Sequence, residues 1–368
     1  MSKKALVFSP DTLRYTRRFD RVRVLPLLAR VQTLAALLAE LPCLPETAQE
    51  IDADLWLRSL FGSASLAGNG LGLEQAAAAL AIPEETPPQD QARRELFNLA
   101  RACRSVARPR REFGVLEVSE ALLMKTHSLV VEGLDYPLTE PGRFRMRSIE
   151  VGDPSQGGSF VPPRQVQDIR TLCAALCEWI NSEPLRHEPP ILRAALFSFH
   201  FSCLHPFDAG NQRTGRAVQA MILAAAGLRF LPWLPAISEA RTPLETFRAF
   251  LDSIQEGADL TPWLEHHLGG LLAELLRLKA RLLAPLERLA RMGRIRDLRG
   301  QGQLSGRQED LLLLILEAAA PVSLRQVLRD TPFRLLYRER TLHTARRDLL
   351  RLTELGLLRQ DGQGFAPA

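Results

Sequence analysis

The stretch LHPFDAGNQRTGRAVQAMILAAAG, residues 204–227, decides how this chain of 368 residues is interpreted. Pro206 and the small residues after it keep the first part of the stretch out of regular helix. The second part has the apolar periodicity of a helix, so Asn211 stands where a helix N-cap is expected. The sequence therefore predicts a fixed turn that leads directly into a helix N-terminus.

Two arginines and a histidine give this turn its chemistry. Arg213 and Arg216 are three residues apart, so both guanidinium groups fall on one side of the helix, where they can bind a polyphosphate through forked hydrogen bonds. The unpaired N–H groups of a helix N-terminus favour the same ligand. A neutral His205 beside it could accept a proton from an attacking hydroxyl, although structural hydrogen bonding explains a lone loop histidine equally well.

Composition restricts the class of protein. Hydrophobic residues make up 46% of the chain and charged residues 24%, values that are typical of a soluble globular protein. No uninterrupted apolar run reaches ~18 residues and the N-terminus lacks a signal sequence, so we expect a cytoplasmic protein with no membrane partner. The five cysteines form no CxxC pair, which indicates buried thiols rather than disulfides or a zinc site.

Helical periodicity covers most of the chain, and it predicts a mainly α fold. Residues 141–163, PGRFRMRSIEVGDPSQGGSFVPP, differ, because two short alternating runs flank a Gly/Pro/Asp turn. This pattern predicts a β-hairpin. Leucines at helical spacing from Leu275 to Leu289 predict a long helix, and the glycine-rich residues 296–306 predict a linker after it.

The C-terminal part predicts three helices followed by a small hairpin, the order found in a winged helix-turn-helix. Basic residues outnumber acidic residues here, which favours a polyanionic partner. On the third helix the residues that form an outward basic face, and therefore the candidates for DNA binding, are Arg340, Arg347 and Arg351. The same face would also suit a winged helix used for protein contact.

The motif HPFDAGNQRTGR at 205–216 resembles that of the Fic (Fido) family, HPFx[DE]GN[GK]RxxR, at seven positions: His205, Pro206, Phe207, Gly210, Asn211, Arg213 and Arg216. PGRFR at 141–145 and FVPP at 160–163 resemble the flap of the family. The resemblance implies a Fic-fold helical bundle with a small β-hairpin flap. Together with the helical periodicity and the C-terminal pattern, it predicts four segments: an N-terminal helical region 1–110, a Fic domain 111–268, a long helix and linker 269–306, and a winged helix 307–368.

The resemblance implies an activity, namely transfer of AMP from ATP to a Ser, Thr or Tyr hydroxyl of a target protein. His205 would be the general base and Phe207 the structural anchor of the loop. The hairpin at 146–161 would pair with an extended segment of the target. ATP would be the substrate, and its binding residues would be Gly210, Asn211, Gln212, Arg213 and Arg216.

Two departures from the motif affect the predicted chemistry. Ala209 occupies the position of the acidic residue that binds Mg²⁺ in the family, and a methyl group cannot ligate a hard cation. The predicted metal site is therefore none, with the neighbouring Asp208 a weak candidate. Gln212 replaces the usual Gly or Lys and could crowd the nucleotide or change which phosphate is presented.

A third departure concerns inhibition. SASLAGN at 63–69 resembles the inhibitory helix of the family, [ST]xxxE[GN], with Ser63, Gly68 and Asn69 retained and Ala67 in place of the glutamate. That glutamate pairs with the second motif arginine. Its absence predicts that Arg216 has no carboxylate partner and is free to bind nucleotide.

Three hypotheses follow. The first is a Fic-type nucleotidyltransferase, slowed by the loss of the metal ligand. The second is a catalytically impaired Fic fold that senses nucleotide within a DNA-binding regulator. The third is phosphoryl or another phosphodiester transfer, in which Gln212 reorients the donor. The target protein is not predicted, and the oligomeric state is open, with a homodimer as one option.

Overall fold

The computed structural model describes residues 6–43, 45–107, 112–153, 158–255, 259–318 and 320–367. The chain forms two compact units, residues 1–282 and 283–368. The N-terminal helices share one apolar core with the region 111–268, so residues 1–110 and 111–268 belong to a single unit.

The first unit is helical, as the mainly α prediction requires. Its helices are α1 (Arg21–Glu40), α2 (Pro45–Ser65), α3 (Leu73–Leu80), α4 (Gln91–Ala107), α5 (Glu120–Val131), α6 (Val166–Ile180), α7 (Glu183–Arg186), α8 (Pro190–Leu204), α9 (Asn211–Ala225), α10 (Leu234–Arg241), α11 (Pro243–Gln255) and the first part of α12 (Thr261–Gly300). The predicted mainly α fold is confirmed.

Helices α8 and α9 lie at the centre of this unit. Almost every residue of α8 is buried, which agrees with a sequence that is apolar on all sides. Helix α9 is equally buried, yet it carries Arg213, Arg216 and Gln219. Buried polar groups of this kind need hydrogen-bonding partners, so the motif helix brings its polar residues into the interior for specific contacts.

The sheet of the first unit has three short strands, β1 (Leu6–Val7), β2 (Val151–Asp153) and β3 (Gly158–Val161). The antiparallel β2–β3 pair is the predicted hairpin, and its turn at 154–157 lies outside the described residues. Strand β1 pairs in parallel with the other side of β3, with Leu6 opposite Phe160, a pairing that the sequence pattern did not indicate. Strand β3 is therefore central, and β2 is an edge strand in the part of the chain that the structure describes.

Helix α1 is the single helix within the described ranges that is long and apolar enough to cross a membrane, by length and composition only. Its buried residues recur every three to four positions and contribute to the core of the first unit: Val24, Leu28, Val31, Ala35 and Leu38. This stripe is the pattern of an amphipathic helix packed on a protein core.

The second unit contains α13 (Gly306–Glu317), α14 (Leu324–Arg329), α15 (Phe333–Leu336), α16 (Leu342–Glu354) and the antiparallel strands β4 (Leu358–Asp361) and β5 (Gly364–Pro367). The stretch 296–306 is not a linker. Helix α12 continues to Gly300, and both Ile295 and Leu304 are buried in the core of the second unit, because apolar residues interrupt the polar, glycine-rich composition.

Asp348 connects three parts of the second unit. Its buried carboxylate accepts hydrogen bonds from Arg307 Nε at 2.8 Å, from Gln308 Nε2 at 3.0 Å and from the hydroxyl of Tyr337 at 3.0 Å. These donors lie at the start of α13 and just after α15. Since charge-assisted hydrogen bonds are the stronger ones, Asp348 fixes the position of α16.

Candidate active site

The motif turn departs sharply from helix at both ends. Helix α8 ends at Leu204, and His205 adopts left-handed backbone angles with φ +45°, which is uncommon for a residue with a side chain. Gly210 has φ +77°, and a Cβ atom there would lie 2.8 Å from Cγ1 of Val131. The turn therefore requires glycine at position 210 and holds His205 in a strained conformation.

Asn211 has a different role from the predicted one. Gly210 is the N-cap and Asn211 is the first residue of α9, so the prediction of Asn211 as the N-cap is wrong. Its side chain turns back into the loop, where Oδ1 accepts from the Phe207 N–H at 2.9 Å and Nδ2 donates to the Phe207 carbonyl at 2.7 Å. The amide therefore holds the turn closed, and the anion donors that remain are backbone N–H groups of the first turn of α9.

Phe207, predicted to anchor the loop, is fully buried. The ring of His127 on α5 stacks on it with 3.7 Å between ring centroids and 2° between planes. His127 Nδ1 accepts from the Gly142 N–H at 3.0 Å, so its Nε2 carries the proton that binds the Ala209 carbonyl at 3.1 Å. Burial, followed by the nearby Arg213, lowers the pKa of His127 to about 4 and keeps it neutral.

Arg145 joins the flap segment to the motif turn. It is fully buried, and its Nε donates to the His205 carbonyl at 2.9 Å while its NH1 donates to the Arg147 carbonyl at 2.8 Å. A third hydrogen bond reaches the Pro163 carbonyl after β3. Burial lowers the pKa of Arg145 to about 10, so the group stays charged. One guanidinium therefore sets the distance between the flap and the histidine.

His205 is partly buried at the end of α8. Burial, followed by the adjacent Arg145 charge, lowers its pKa to about 4. The imidazole is therefore neutral at pH 7, the form that accepts a proton. A general base needs this protonation state.

Arg213 lies in a polar network beneath the turn. Its NH2 donates to the Tyr136 hydroxyl at 2.6 Å, and its NH1 lies 3.6 Å from Oε2 of Glu95. Asn69, in the predicted inhibitory segment, donates to the same Glu95 oxygen at 2.8 Å. Among the described residues, Nε and NH1 of this buried guanidinium have no hydrogen-bond acceptor. Unsatisfied buried donors on a cation favour an anionic ligand.

Arg216 has a carboxylate partner, so the prediction that it lacks one is wrong. Its NH1 lies 3.5 Å from Oε2 of Glu239 on α10, and its Nε and NH2 donate to the side chain and carbonyl of Ser63. Burial lowers the pKa of Arg216 and raises the pKa of Glu239. Ala67 lies beyond the end of α2 and is exposed. A different helix therefore supplies the acid that is absent at position 67.

The residues around Ala209 do not fit a divalent metal. The Ala209 carbonyl binds His127, and Oδ1 of Asp208 forms an ion pair with Arg147 Nε at 2.6 Å. Within the described ranges no three His, Cys, Asp or Glu side chains gather as a metal site would require. A hard cation needs several oxygen ligands. The carboxylate that this turn offers, that of Asp208, is already paired with the guanidinium of Arg147.

Two further features complete the site. Gln212 Nε2 lies 3.5 Å from the Ser202 hydroxyl, so its side chain points back toward the end of α8. A groove of about 860 Å³ opens beside the turn, and its lining includes Met124, Phe144, Arg147 and Asp208. The groove is wide enough for part of a ligand or an extended peptide.

The DNA-binding candidates lie in the second unit. Arg340 precedes α16 and is exposed, Arg347 is exposed on α16, and Arg351 forms an ion pair with Glu354 at 3.3 Å. Arg347 and Arg351 line a groove of about 820 Å³ between α16 and the start of α13.

Comparison with known proteins identifies the first unit. Residues 117–223 match the model of the Fic/DOC family. This part of the chain is similar to a Fic domain. The resemblance expected from the motif is therefore confirmed, and the histidine turn described above lies within the matched residues.

Curated relatives agree with this assignment. The chain is 29% identical over 148 residues to a protein adenylyltransferase Fic of Drosophila willistoni, a match that covers 40% of this chain and 26% of the relative. It is 31% identical over 120 residues to a protein adenylyltransferase Fic of Nematostella vectensis, covering 30% of this chain and 26% of the relative. The chain thus spans about a quarter of the length of these relatives.

Solved structures show the same fold over more of the chain. A crystal structure of a Fic family protein from Desulfovibrio desulfuricans G20 superposes with a TM-score of 0.56 at 19% identity, covering 92% of this chain and 90% of that protein. Fic-1 from C. elegans, residues 134–508, gives a TM-score of 0.53 at 20% identity, covering 68% and 70%.

Sequence reasoning missed several residues that build the site. His127, Glu95 and Glu239 stand alone in helices with no local pattern around them. Arg145 belongs to the segment that resembles the flap of the family, so its region was indicated although its contacts were not. Their roles depend on neighbours that are distant in sequence.

Proposed function

We propose that this chain transfers AMP from ATP to a hydroxyl group of a protein side chain. The observation that carries the proposal is the environment of His205. The ring is neutral, its backbone is held by Arg145, and it precedes a helix N-terminus that carries a buried arginine with unsatisfied donors. A proton acceptor beside a phosphate site is what nucleotidyl transfer to a hydroxyl requires.

In the proposed transfer, His205 is the residue that accepts the proton of the target hydroxyl. The hydroxyl oxygen of the target attacks the α-phosphorus of ATP while His205 accepts the hydroxyl proton. The new bond joins the target oxygen to the α-phosphorus, and the bond from that phosphorus to the bridging oxygen breaks. Pyrophosphate leaves with the bonding electrons, and the protonated His205 releases its proton to solvent or product. Positioning the two reactants accounts for a large part of such catalysis.

The nucleotide would bind at the start of α9. Backbone N–H groups of Gly210, Asn211 and Gln212 are candidates to meet phosphate oxygens, and Arg213 supports this assignment through its two unsatisfied nitrogens. The guanidinium of Arg216 already has internal partners, because it contacts Glu239 and donates a hydrogen bond to Ser63. Its contribution to phosphate binding requires those contacts to be exchanged.

The target segment would join the outer edge of β2. Strand β1 already covers one side of β3, and β2 covers the other. Among the described strands none pairs with the outer side of β2, so its backbone at Val151 and Gly152 could accept strand addition, a mode of recognition that relies on main-chain hydrogen bonds. Such pairing would place a hydroxyl without requiring one particular target sequence.

The test is label transfer from ATP to protein targets in a cell extract. Transfer from α-labelled ATP is expected with the native protein and lost with His205→Ala, while nucleotide affinity changes little. His343→Ala, an exposed histidine of the second unit, is the matched control and should retain transfer. Label that arrives only from the γ-phosphate would replace this proposal with phosphoryl transfer.

We propose a second function for the second unit, nucleic-acid binding by a winged helix. Three observations support it: the order of α13, α14 and α16 before the β4–β5 hairpin, the exposed Arg340 and Arg347, and the rigid attachment of α16 through Asp348. Arginines on a recognition helix bind phosphates and base edges. If this were the main role, the Fic domain would serve a regulator rather than an enzyme.

A gel-shift titration against salt tests this second function. Arg347→Ala should weaken binding to duplex DNA and lower the salt slope by about 1. Arg30→Ala, an exposed arginine of α1, should leave both unchanged. DNA binding without any AMP transfer by the intact protein would favour the regulator over the enzyme, and equal behaviour of the two variants would remove α16 from the interface.

A further inference from the structure

An arginine that precedes the hairpin, Arg147, adds positive charge to the motif turn. Arg147 Nε lies 2.6 Å from Asp208 Oδ1, and the Asp208 side chain is only 8% exposed whereas that of Arg147 is 50% exposed. The Arg147 carbonyl is also bound by Arg145, which binds the His205 carbonyl in turn. Both the backbone and the side chain of Arg147 are therefore fixed relative to the histidine.

Arg145 and Arg147, the two arginines that contact the motif turn, differ in what they can still bind. Arg145 is buried and directs its guanidinium at three backbone carbonyls. Arg147 uses Nε for Asp208, and in the described part of the chain no other nitrogen of its guanidinium has a hydrogen-bond acceptor. Arg147 lines the groove of about 860 Å³. Of these two residues, Arg147 is therefore the one whose guanidinium can still meet a ligand.

The chemistry of this position suits a phosphate. A guanidinium presents its donors as a planar fork that matches two phosphate oxygens, and it stays charged at all relevant pH values. The pair with Asp208 needs one nitrogen only, so the terminal nitrogens are available to an anion. At the same turn Ala209 offers no metal ligand. A fixed cation thus lies where the donor set does not fit a bound metal.

We propose that Arg147, positioned by Asp208, binds a phosphate oxygen of the nucleotide and makes nucleotide binding by this chain independent of a divalent metal. This inference rests on the proposed function, because it places the triphosphate at the same turn. It assigns to Arg147 the role of a nucleotide-binding residue and to Asp208 that of a positioning residue. The guanidinium of Arg147 carries one positive charge, whereas a divalent metal ion carries two. The site without metal therefore neutralises the phosphate charge less completely.

The test is calorimetric titration with the non-transferable analogue AMPCPP, which measures binding without turnover. The dissociation constant of the native protein should change less than about threefold between excess EDTA and Mg²⁺. Arg147→Ala should weaken binding in EDTA by about tenfold, as expected for loss of a charged hydrogen bond. Arg147→Lys should restore part of that affinity because it keeps the charge.

Arg143→Ala is the matched control. Arg143 lines the same groove and is exposed, with its guanidinium 2.8 Å from Glu140, and its loss should leave affinity within about twofold. Thermal melting of each variant checks that the fold is retained. Native binding that requires Mg²⁺, or Arg147→Ala binding as tightly as the native protein, overturns this inference alone. Failure of the native protein to bind AMPCPP in either buffer overturns the proposed function, and this inference with it.

Discussion

The guanidinium of Arg216 faces the carboxylate of Glu239 in the interior of the first unit, with 3.5 Å between NH1 and Oε2. The two residues belong to α9 and α10, and both are buried. The carboxylate that neutralises Arg216 therefore comes from α10 of the same unit, whereas position 67 holds an alanine. An unpaired guanidinium at this depth would have a large desolvation cost.

Removing that acid should destabilise the fold. Glu239→Ala leaves Arg216 buried with only Ser63 as a partner, and we expect the free energy of unfolding to fall by about 3 kcal/mol. Urea denaturation measures the change. Glu188→Ala, which breaks the surface pair with Arg17, should change it by less than about 1 kcal/mol. Equal effects of the two variants would show that the Arg216–Glu239 pair does not stabilise the interior.

The side-chain amide of Asn211 should stabilise the turn more than the side chain of Gln212 does. Asn211→Ala removes both hydrogen bonds to the Phe207 backbone and should lower the free energy of unfolding by about 2 kcal/mol. Gln212→Ala removes one contact of 3.5 Å and should change it by less than about 0.5 kcal/mol. The same denaturation experiment compares them, and the reverse order would refute the assignment of Asn211 as the residue that closes the turn.

Two glycine-to-alanine changes should have opposite signs. Gly210→Ala forces a side chain into a left-handed conformation and against Val131, so it should destabilise the protein by about 2 kcal/mol. Gly269→Ala lies in α12, where a Cβ meets open space, and it should stabilise the protein by about 0.5 kcal/mol. Melting temperatures report both. Stabilisation by Gly210→Ala would contradict the described turn.

Stability should decrease as the pH falls below neutral. Burial is the main cause that lowers the pKa to about 4 for four histidines, His127, His200, His205 and His267. Between pH 6.5 and pH 4 the unfolded chain binds protons that the folded chain does not, so the free energy of unfolding should fall with pH in this window. The pKa of Glu239 is raised, so this residue makes the folded state more stable as the pH falls. It is one group against four histidines.

We expect a loss of at least about 2 kcal/mol between pH 7 and pH 5, measured by urea unfolding. Histidine ring signals in NMR spectra provide the independent check, since the buried rings should begin to titrate only near pH 4. A free energy of unfolding that stays constant from pH 7 to pH 5 would contradict the buried, neutral state of these rings.

A carboxylate introduced at position 209 should make nucleotide binding depend on Mg²⁺. Ala209→Asp adds a second acidic side chain beside Asp208, and we expect Mg²⁺ to tighten AMPCPP binding to this variant by about tenfold. Ala209→Asn is the control with the same size and no charge. If Mg²⁺ affects both variants equally, the position does not face the nucleotide.

Much of the fold was predictable because its patterns are local. Apolar periodicity predicted a mainly helical chain and a helix directly after the motif turn, and α9 begins there at Asn211. The hairpin was predicted from the alternation around its glycine-rich turn. In each case the residues that determine the structure are neighbours in sequence, so their spacing contains the information.

The partners of the motif residues required the tertiary structure. His127 is 82 residues from the Ala209 carbonyl that it binds, and Glu239 lies 23 residues beyond Arg216. Asn211 turned inward because Phe207 offered both a donor and an acceptor within the closed turn. Sequence by itself determined which chemical groups the turn carries. Packing decided which of them are occupied by internal partners and which remain available, because burial obliges each polar group to find a partner wherever the fold brings one close.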